Sequence, residues 1–233
     1  MSETADQQPP ARGGPTRQDL LRWSEALAGI AKTGLGFTDN LYERERFEEV
    51  LAIASDIRVA AGTDFDAEHY VTEWLKGVRD GVPGYQTPKV AIGAVVGNDA
   101  GEILLVQRAD SGVWLYPTGW ADIGYSPAEV AAKEVKEETG IDCRVERLLM
   151  VLDGLRLGFT TVPLYSIVFL CRATGGELAA HPLETSDVGF FAQEALPSPL
   201  AGYDHWGDAA FRALRGEDVP VHFDDVRPET WRR

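Results

Sequence analysis

The amino-acid sequence predicts an α/β (α+β) protein in which a small all-helical domain precedes a mixed α/β sandwich. Apolar residues recur at helical spacing between residues 19 and 80. From residue 87 onward, short apolar segments that are typical of strands alternate with turns rich in glycine. One well-bounded helix lies between these strands, and strands on both sides of a central helix suit an α/β sandwich.

The N-terminal domain is predicted to span residues 19–84 and to contain three helices, near 19–34, 42–61 and 66–79. Residues 1–18 are rich in Pro, Gly, Gln and charge, so we expect a disordered tail. The sequence Gly-Val-Pro-Gly at 81–84 marks the end of the domain. Its first two helices carry apolar stripes, formed by Leu20, Leu21, Trp23, Leu27 and Ile30 and by Phe47, Leu51, Ala54 and Ile57.

These helices are too short to bury their apolar stripes alone, because small domains hide little of their surface. They pack either on the chain's own second domain or on another subunit. We expect the second arrangement, a homodimer formed through the N-terminal helices, since an apolar contact can keep the many charges at its rim.

The second domain is predicted to span residues 85–217. A buried strand at 90–96 turns through 97–101 into a return strand at 103–107, and a loop with a short strand follows at 108–116. After the central helix, strands are expected near 145–152, 164–171 and 188–192, followed by a helix at 204–215. Residues 218–233 are expected to form a C-terminal tail.

Composition limits the partners that this chain can have. Its 233 residues carry a net charge of −15, which argues against nucleic acid or an anionic membrane as the main partner. No apolar run is long enough to cross a bilayer, and no signal peptide is recognisable, so we expect a cytoplasmic protein. An acidic enzyme can still bind polyanions if bound cations supply positive charge.

The central helix is bounded by clear start and stop signals. Ser126 is a good N-cap, Pro127 suits the first helical position, and Glu129 completes a capping box. Gly140 suits the left-handed conformation that ends many helices.

The faces of this helix differ in chemistry. Glu134, Glu137 and Glu138 lie in one sector, since residues three and four apart are neighbours. A different sector would face the core and contains Ala128, Ala131, Ala132, Val135 and Thr139. Crowded carboxylates suit a hard cation, Mg²⁺ or Mn²⁺. The alternative is an ordinary solvated face on which Lys133 and Lys136 balance the glutamates.

The segment that contains this helix resembles the Nudix box, G-x5-E-x7-R-E-U-x-E-E-x-G-U, where U is aliphatic. The positions in register are Gly119, Glu134, Val135, Glu137, Glu138, Gly140 and Ile141. Tyr125 replaces the first Glu of the motif, and Lys133 replaces its Arg. The resemblance implies a mixed sheet in an α/β/α sandwich and a pyrophosphohydrolase activity.

The resemblance extends over residues 19 to 215. The segments 28–38 and 44–49, together with the box, are similar to a bacterial subgroup that includes CDP-choline pyrophosphatases and ADP-ribose pyrophosphatases. In that subgroup Tyr and Lys are usual at the positions of Tyr125 and Lys133. The implied reaction is hydrolysis of a nucleoside diphosphate linked to a moiety X, which gives a nucleoside monophosphate and phospho-X.

The resemblance also implies a set of site residues. Glu134, Glu137 and Glu138 would bind Mg²⁺ (or Mn²⁺), and a backbone carbonyl of Thr118 or Gly119 would add a ligand. A further carboxylate is expected before the late strand, from Asp187 or alternatively Glu184, although both could be plain solvated acids. The general base would be Glu134, Asp187 or Glu184, and the sequence does not choose among them.

Candidates for substrate binding are more scattered. Lys133 lies within the box, and Arg108 could bind a phosphate or merely a surface carboxylate. Trp114 and Tyr116 could stack on a base or sugar, although core packing is the commoner use of such aromatics. Asp153, at a strand end, could contact polar groups of the substrate.

A competing function is a non-catalytic ligand sensor or interaction module of the same superfamily. A DNA-reading sensor would need a basic helix, and the acidic C-terminus offers none. The complete glutamate trio favours the enzyme.

Overall fold

The computed structural model divides into two compact units, residues 1–86 and 87–233. The structure describes residues 14–76, 78, 87–122 and 124–227. Most of the predicted tail and the whole predicted boundary at 81–84 therefore lie outside the described residues. Helices followed by a mixed sheet confirm the predicted fold class. Within the described ranges, none of the helices is both long and apolar enough to cross a membrane.

The first unit contains three helices: α1 (Arg17–Phe37), α2 (Leu41–Ala60) and α3 (Ala67–Lys76). Helix α1 begins two residues before the predicted start because Thr16 is a strong N-cap. The Thr16 hydroxyl accepts a hydrogen bond from the Asp19 N–H at 3.2 Å, and the Asp19 carboxylate accepts one from the Thr16 N–H at 3.1 Å. This reciprocal capping box satisfies two donors that would otherwise be orphaned.

The apolar stripe predicted for α1 is divided between two faces. The buried face packs towards α2 and consists of Leu21, Ser24, Ala28, Ala31 and Leu35. Trp23, Ile30 and Phe37 are instead 40%, 61% and 57% exposed. The prediction of one stripe was wrong because Leu21 and Trp23, two residues apart, are about 200° apart around the helix.

A buried ion pair links α1 and α2. The Arg58 guanidinium donates a hydrogen bond to the Glu25 carboxylate, and both side chains are largely removed from water. Arg58 also lies over the Tyr70 ring, 5.0 Å from its centroid, which joins α3 to the same contact. Burial raises the pKa of Glu25, and the positive charge of Arg58 opposes that rise.

The second unit is built on one eight-stranded mixed sheet. Its strands are β1 (Lys89–Gly97), β2 (Ile103–Arg108), β3 (Trp114–Leu115), β4 (Thr118–Trp120), β5 (Ile141–Asp153), β6 (Leu164–Gly176), β7 (Thr185–Phe191) and β8 (His222–Phe223). The order is β3-β2-β1-β6-β5-β8, with β4 paired to β1 and β7 paired to β2. The pairs β1–β6 and β5–β8 are parallel, and the others are antiparallel.

Helices cover both faces of this sheet. Helix α4 (Pro127–Thr139) lies on one face, helix α6 (Tyr203–Leu214) lies on the other, and the short α5 (Gly154–Leu157) follows β5. Alternate residues of β1 separate the two cores: Ile92 packs in the cluster that contains Val135 of α4, and Val95 packs in the cluster that contains Trp206 of α6. This arrangement is the α/β/α sandwich.

The predicted C-terminal tail contains ordered structure. Residues His222–Phe223 form the edge strand β8, which pairs with β5, and the Asp224 carboxylate accepts a hydrogen bond from the Asp153 N–H at 2.6 Å. A strand of two residues is too short to show the alternation by which strands are recognised in a sequence.

Candidate active site

Helix α4 holds its glutamates rigidly because both of its ends are capped. Ser126 and Glu129 form the predicted capping box, and Gly140 ends the helix with φ of 75°. Val130, Ala131 and Val135 are buried against the sheet. The buried face fixes the rotation of the helix, and the rotation fixes where each glutamate lies.

Glu134 lies against the backbone of β4. A Cβ atom on Gly119 would overlap the Glu134 carboxylate, so a residue with a side chain at this position would displace that group. The absence of a side chain therefore creates the space in which the carboxylate fits. Burial raises the pKa of Glu134, the charge of Lys133 opposes the rise, and the charges of Glu137 and Asp122 add to it.

Glu138 is the buried member of the glutamate cluster. The residue is 8% exposed, and its carboxylate accepts a hydrogen bond from the Thr118 N–H at 3.0 Å. Among the described residues, it forms no ion pair with Lys, Arg or His. Burial raises its pKa to about 7, and the charges of Glu134 and Glu184 contribute to the rise. A buried, ionised carboxylate without an ion-pair partner destabilises the folded protein unless a bound cation balances its charge.

Lys133 connects the acidic groups at the more exposed side of the site. Its ammonium lies 2.9 Å from Glu137, 3.1 Å from Asp122 and 3.9 Å from Glu134. The hydrogen bonds with Glu137 and Asp122 raise the pKa of Lys133. Lys133 therefore does not contact the buried Glu138, and it positions the glutamates around it.

Asp122 was not among the site residues predicted from the sequence. It lies in the loop between β4 and α4, where it binds Lys133 and raises the pKa of Glu134. An acidic residue three positions after Gly119 was the available signal, because the loop position that usually carries an acid holds Tyr125 instead.

The two late acids occupy different places. Glu184 lies close enough to Glu134 and Glu138 for its charge to raise the pKa of both. Asp187 lies on β7, paired in register with Gln107, and its carboxylate accepts a hydrogen bond from the Val188 N–H at 2.8 Å. Glu184 is thus near the helix glutamates.

Arg108 is held by a neighbouring acid. Its guanidinium donates to both Asp110 carboxylate oxygens, at 3.0 and 2.6 Å. This is the surface-carboxylate alternative of the prediction. The positive charge of Arg108 still lies near enough to Glu138 to oppose the rise in its pKa.

The two aromatic candidates belong to the core. Trp114 and Tyr116 are buried, and they pack edge-to-face on Phe191 and Trp206, with ring centroids 5.1 and 5.3 Å apart. Burial raises the pKa of Tyr116 to about 12. The structure therefore places both rings in the core, the commoner of the two uses considered for them.

Asp153 has a structural contact instead of a place at the site. Its carboxylate caps α5 by accepting a hydrogen bond from the Arg156 N–H at 3.0 Å. Its own N–H binds Asp224. The structure does not bring Asp153 together with the glutamates of α4.

The donor set fits a hard divalent cation. Across the described residues, no three His, Cys, Asp or Glu side chains are already arranged as a coordination cage. Mutual repulsion of like charges and the attraction of Glu137 to Lys133 account for this separation. The chemistry nevertheless suits Mg²⁺ or Mn²⁺, because these cations prefer carboxylate oxygens and Glu134, Glu137 and Glu138 share one sector of α4.

Comparison with known families identifies the domain that carries this site. Residues 87–214, more than half of the chain, match the NUDIX domain. The chain belongs to the Nudix hydrolase family. Residues 18–74 of this Nudix hydrolase match a second family, described as the UDP-X-like, N-terminal oligomerisation domain.

Relatives of this Nudix hydrolase cover both units. YjhB of Bacillus subtilis (strain 168), provisionally named an ADP-ribose pyrophosphatase, is 33% identical over 88% of this chain and 96% of its own. The crystal structure of a UDP-X diphosphatase covers 90% of this chain and all of its own, at 30% identity and a TM-score of 0.54. An ADP-ribose pyrophosphatase from Streptococcus suis 89-1591 covers 59% of this chain and all of its own, at 34% identity and a TM-score of 0.51.

Proposed function

We propose that this Nudix hydrolase cleaves the diphosphate linkage of a nucleoside diphosphate joined to a moiety X, in a reaction that depends on Mg²⁺ or Mn²⁺. The products are a nucleoside monophosphate and phospho-X. The observation that carries the proposal is Glu138, a buried carboxylate that accepts a hydrogen bond from the Thr118 N–H and forms no ion pair with any other residue that the structure describes. It lies on the same helix face as Glu134 and Glu137.

Each residue of the site has a distinct task in this reaction. Glu134, Glu137 and Glu138 would hold the metal, which when bound neutralises the charge of the diphosphate and lowers the pKa of a bound water. The Thr118 N–H orients Glu138, and Gly119 leaves room for Glu134.

The attacking water must lose a proton, and we propose Glu184 as the general base that accepts it. Its carboxylate acts on both Glu134 and Glu138 electrostatically, and its side chain is mostly open to water. The Glu134 carboxylate packs against Gly119, and the Asp187 carboxylate accepts a hydrogen bond from the Val188 N–H, so both are already engaged in other contacts. An exposed acid beside the metal ligands can exchange its proton with solvent after each turnover.

The substrate class is supported by the relatives. One is named for ADP-ribose and one for UDP-X, and the sequence motif also resembles enzymes of CDP-choline. These compounds share a nucleoside diphosphate linked to a second group. We therefore propose this shared element as the substrate, with the base and the X group left to experiment.

We propose in addition that the protein is a homodimer formed through the N-terminal helices. The matching family is described as an oligomerisation domain. Helix α1 leaves Trp23, Ile30 and Phe37 exposed at intervals of seven residues, which places them along one side of the helix. A second copy of the same helix would cover this apolar row.

A panel of conjugates tests the reaction. ADP-ribose, CDP-choline and UDP-glucose are each incubated with Mg²⁺ or Mn²⁺, and the nucleoside monophosphate is measured by chromatography. At least one conjugate is expected to be cleaved, and excess chelator is expected to abolish cleavage. Full turnover in chelator, or no cleavage of any conjugate with either metal, contradicts the proposal.

A further inference from the structure

An exposed lysine and an exposed tryptophan meet at the end of β1 and β4. The Lys89 ammonium lies 5.1 Å from the centroid of the Trp120 ring. Trp120 is opposite Ala91 in the β1–β4 register, and Lys89, two residues before Ala91, points to the same face of the sheet. Trp120 is 53% exposed.

Lys89 differs from the other cationic residues of its unit. Within 87–122 and 124–227, every other Lys and Arg has an oxygen partner; these residues are Arg108, Lys133, Lys136, Arg144, Arg147, Arg156, Arg172, Arg212, Arg215 and Arg227. Among the residues that the structure describes, the partner of the Lys89 side chain is the ring of Trp120. An incoming anion could therefore bind its ammonium without first breaking an ion pair.

The pair lies next to the candidate metal site. Trp120 directly follows Gly119, against which the Glu134 carboxylate packs. Consecutive Cα atoms are about 3.8 Å apart, so the backbone of Trp120 is adjacent to the contact between Gly119 and Glu134. Side chains alternate along a strand, so the Trp120 ring and Lys89 point to the face opposite the one on which Gly119 meets Glu134, and a ligand that contacts both sites passes the end of β4.

The nucleobase of such a ligand needs a flat apolar surface near the diphosphate. The aromatic residues expected to supply it, Trp114 and Tyr116, are buried in the core. Trp120 is open to solvent and lies on the strand that borders Glu134. Stacking on an indole tolerates any base, because every base has a π-face.

We propose that Trp120 stacks on the base of the nucleoside diphosphate and that Lys89 binds oxygens of its phosphates. This inference rests on the proposed function for its ligand class. It assigns recognition of the nucleotide half of the substrate to the ends of β1 and β4.

Calorimetric titration of the full-length protein in Mg²⁺ separates the two contacts. The probes are UDP and ADP, which carry a base, and inorganic pyrophosphate, which does not. Trp120→Ala should weaken the binding of UDP and ADP about tenfold, as expected for loss of base stacking. The affinity for pyrophosphate should stay within about twofold of the wild-type value. Trp120→Phe should restore most of the nucleotide affinity. Lys89→Ala should weaken the binding of all three probes.

Phe223→Ala is the matched control, because Phe223 is also an exposed aromatic but lies on β8, at the far edge of the sheet. It should leave all three affinities unchanged. Equal affinity of the wild type and Trp120→Ala for UDP and ADP, or a wild type that binds neither nucleotide, overturns the inference. Nucleotide binding through Trp120 in a protein that cleaves no conjugate would instead overturn the proposed reaction and leave this inference standing.

Discussion

Glu25 in the helical unit and Glu138 in the sheet unit are both largely removed from water, but they are balanced in opposite ways. Glu25 faces the buried guanidinium of Arg58. Glu138 has the Thr118 N–H and, among the described residues, no ion pair. Burial raises the pKa of both carboxyls, and in Glu25 the adjacent charge of Arg58 counteracts the rise.

The difference separates structure from function. A buried charge that has its partner within the same chain is part of the packing. A buried charge that lacks one costs stability and persists where a ligand supplies the balance. On this account Glu25 maintains the helical unit and Glu138 binds a cation. Substitutions at the Glu25–Arg58 pair should therefore change the stability of the protein, and substitutions at Glu138 should change its activity.

The largest expected effect is on the stability of the helical unit. Arg58→Met removes the partner of Glu25 and leaves a carboxylate in an apolar setting, which typically costs about 3–5 kcal/mol. Urea denaturation of the full-length protein, followed by circular dichroism, measures the loss. The double variant Glu25→Gln/Arg58→Met should lose much less, because no unpaired charge remains. Equal losses for the single and double variants would show that the ion pair is not the cause.

The second effect concerns turnover at the sheet unit. Glu138→Gln should reduce kcat on the order of a hundredfold or more, which corresponds to about 2.7 kcal/mol. Its melting temperature without metal should not fall, because the amide removes an unpaired buried charge. Glu25→Gln is the matched control and should keep kcat. A variant Glu138→Gln with wild-type kcat would place the metal elsewhere.

The third effect concerns the space beside Glu134. Gly119→Ala should lower kcat on the order of tenfold, because the new Cβ displaces the carboxylate from its position. Gly175→Ala is the control, since a Cβ there meets nothing within 4 Å. Steady-state kinetics on the best conjugate compares the two. Comparable kcat values for the two variants would mean that the close approach of Glu134 to Gly119 has no part in catalysis.

The fourth effect concerns the exposed row on α1. Ile30→Asp should shift the protein from dimer to monomer in multi-angle light scattering, because a charge would be buried in an apolar contact. Ile53→Asp, at an exposed apolar position on α2, shows whether any added charge has this effect. A monomeric wild type at micromolar concentration rules out the dimer.

The smallest effect is expected at the two departures from the motif. Tyr125 is exposed, and Tyr125→Glu should change kcat less than about twofold, because the proposed metal ligands are the helix glutamates and do not include the loop position. Lys133→Ala should lower kcat several-fold, since Lys133 positions Glu137 and Asp122. A large gain from Tyr125→Glu would show that the loop lacks a needed ligand.

Local rules explain what the sequence predicted well. The caps of α4 and the shared sector of its glutamates follow from residue type and helical spacing alone, and the structure reproduces both caps. Burial is different, because it depends on what packs above each face. The sequence could not show that Trp114 and Tyr116 lie under α6 while Trp120 stays open.

Contacts between segments that are distant in the sequence were also not predicted. Glu184 and Asp187 are nearly adjacent in the sequence, and only the turn into β7 brings the first towards α4. The pairing of Arg58 with Glu25 spans 33 positions, and no local pattern predicts it. Strand β8 was missed for the same reason, since it is defined by its partner β5.

Binding of Mn²⁺ to the full-length protein tests the central claim most directly. Calorimetric titration compares the wild type with Glu138→Gln and Glu25→Gln at one pH. If Glu138 is a metal ligand, Glu138→Gln should bind Mn²⁺ at least about tenfold more weakly, and Glu25→Gln should match the wild type. Wild-type affinity in Glu138→Gln would contradict the claim that the unpaired carboxylate is kept for a cation.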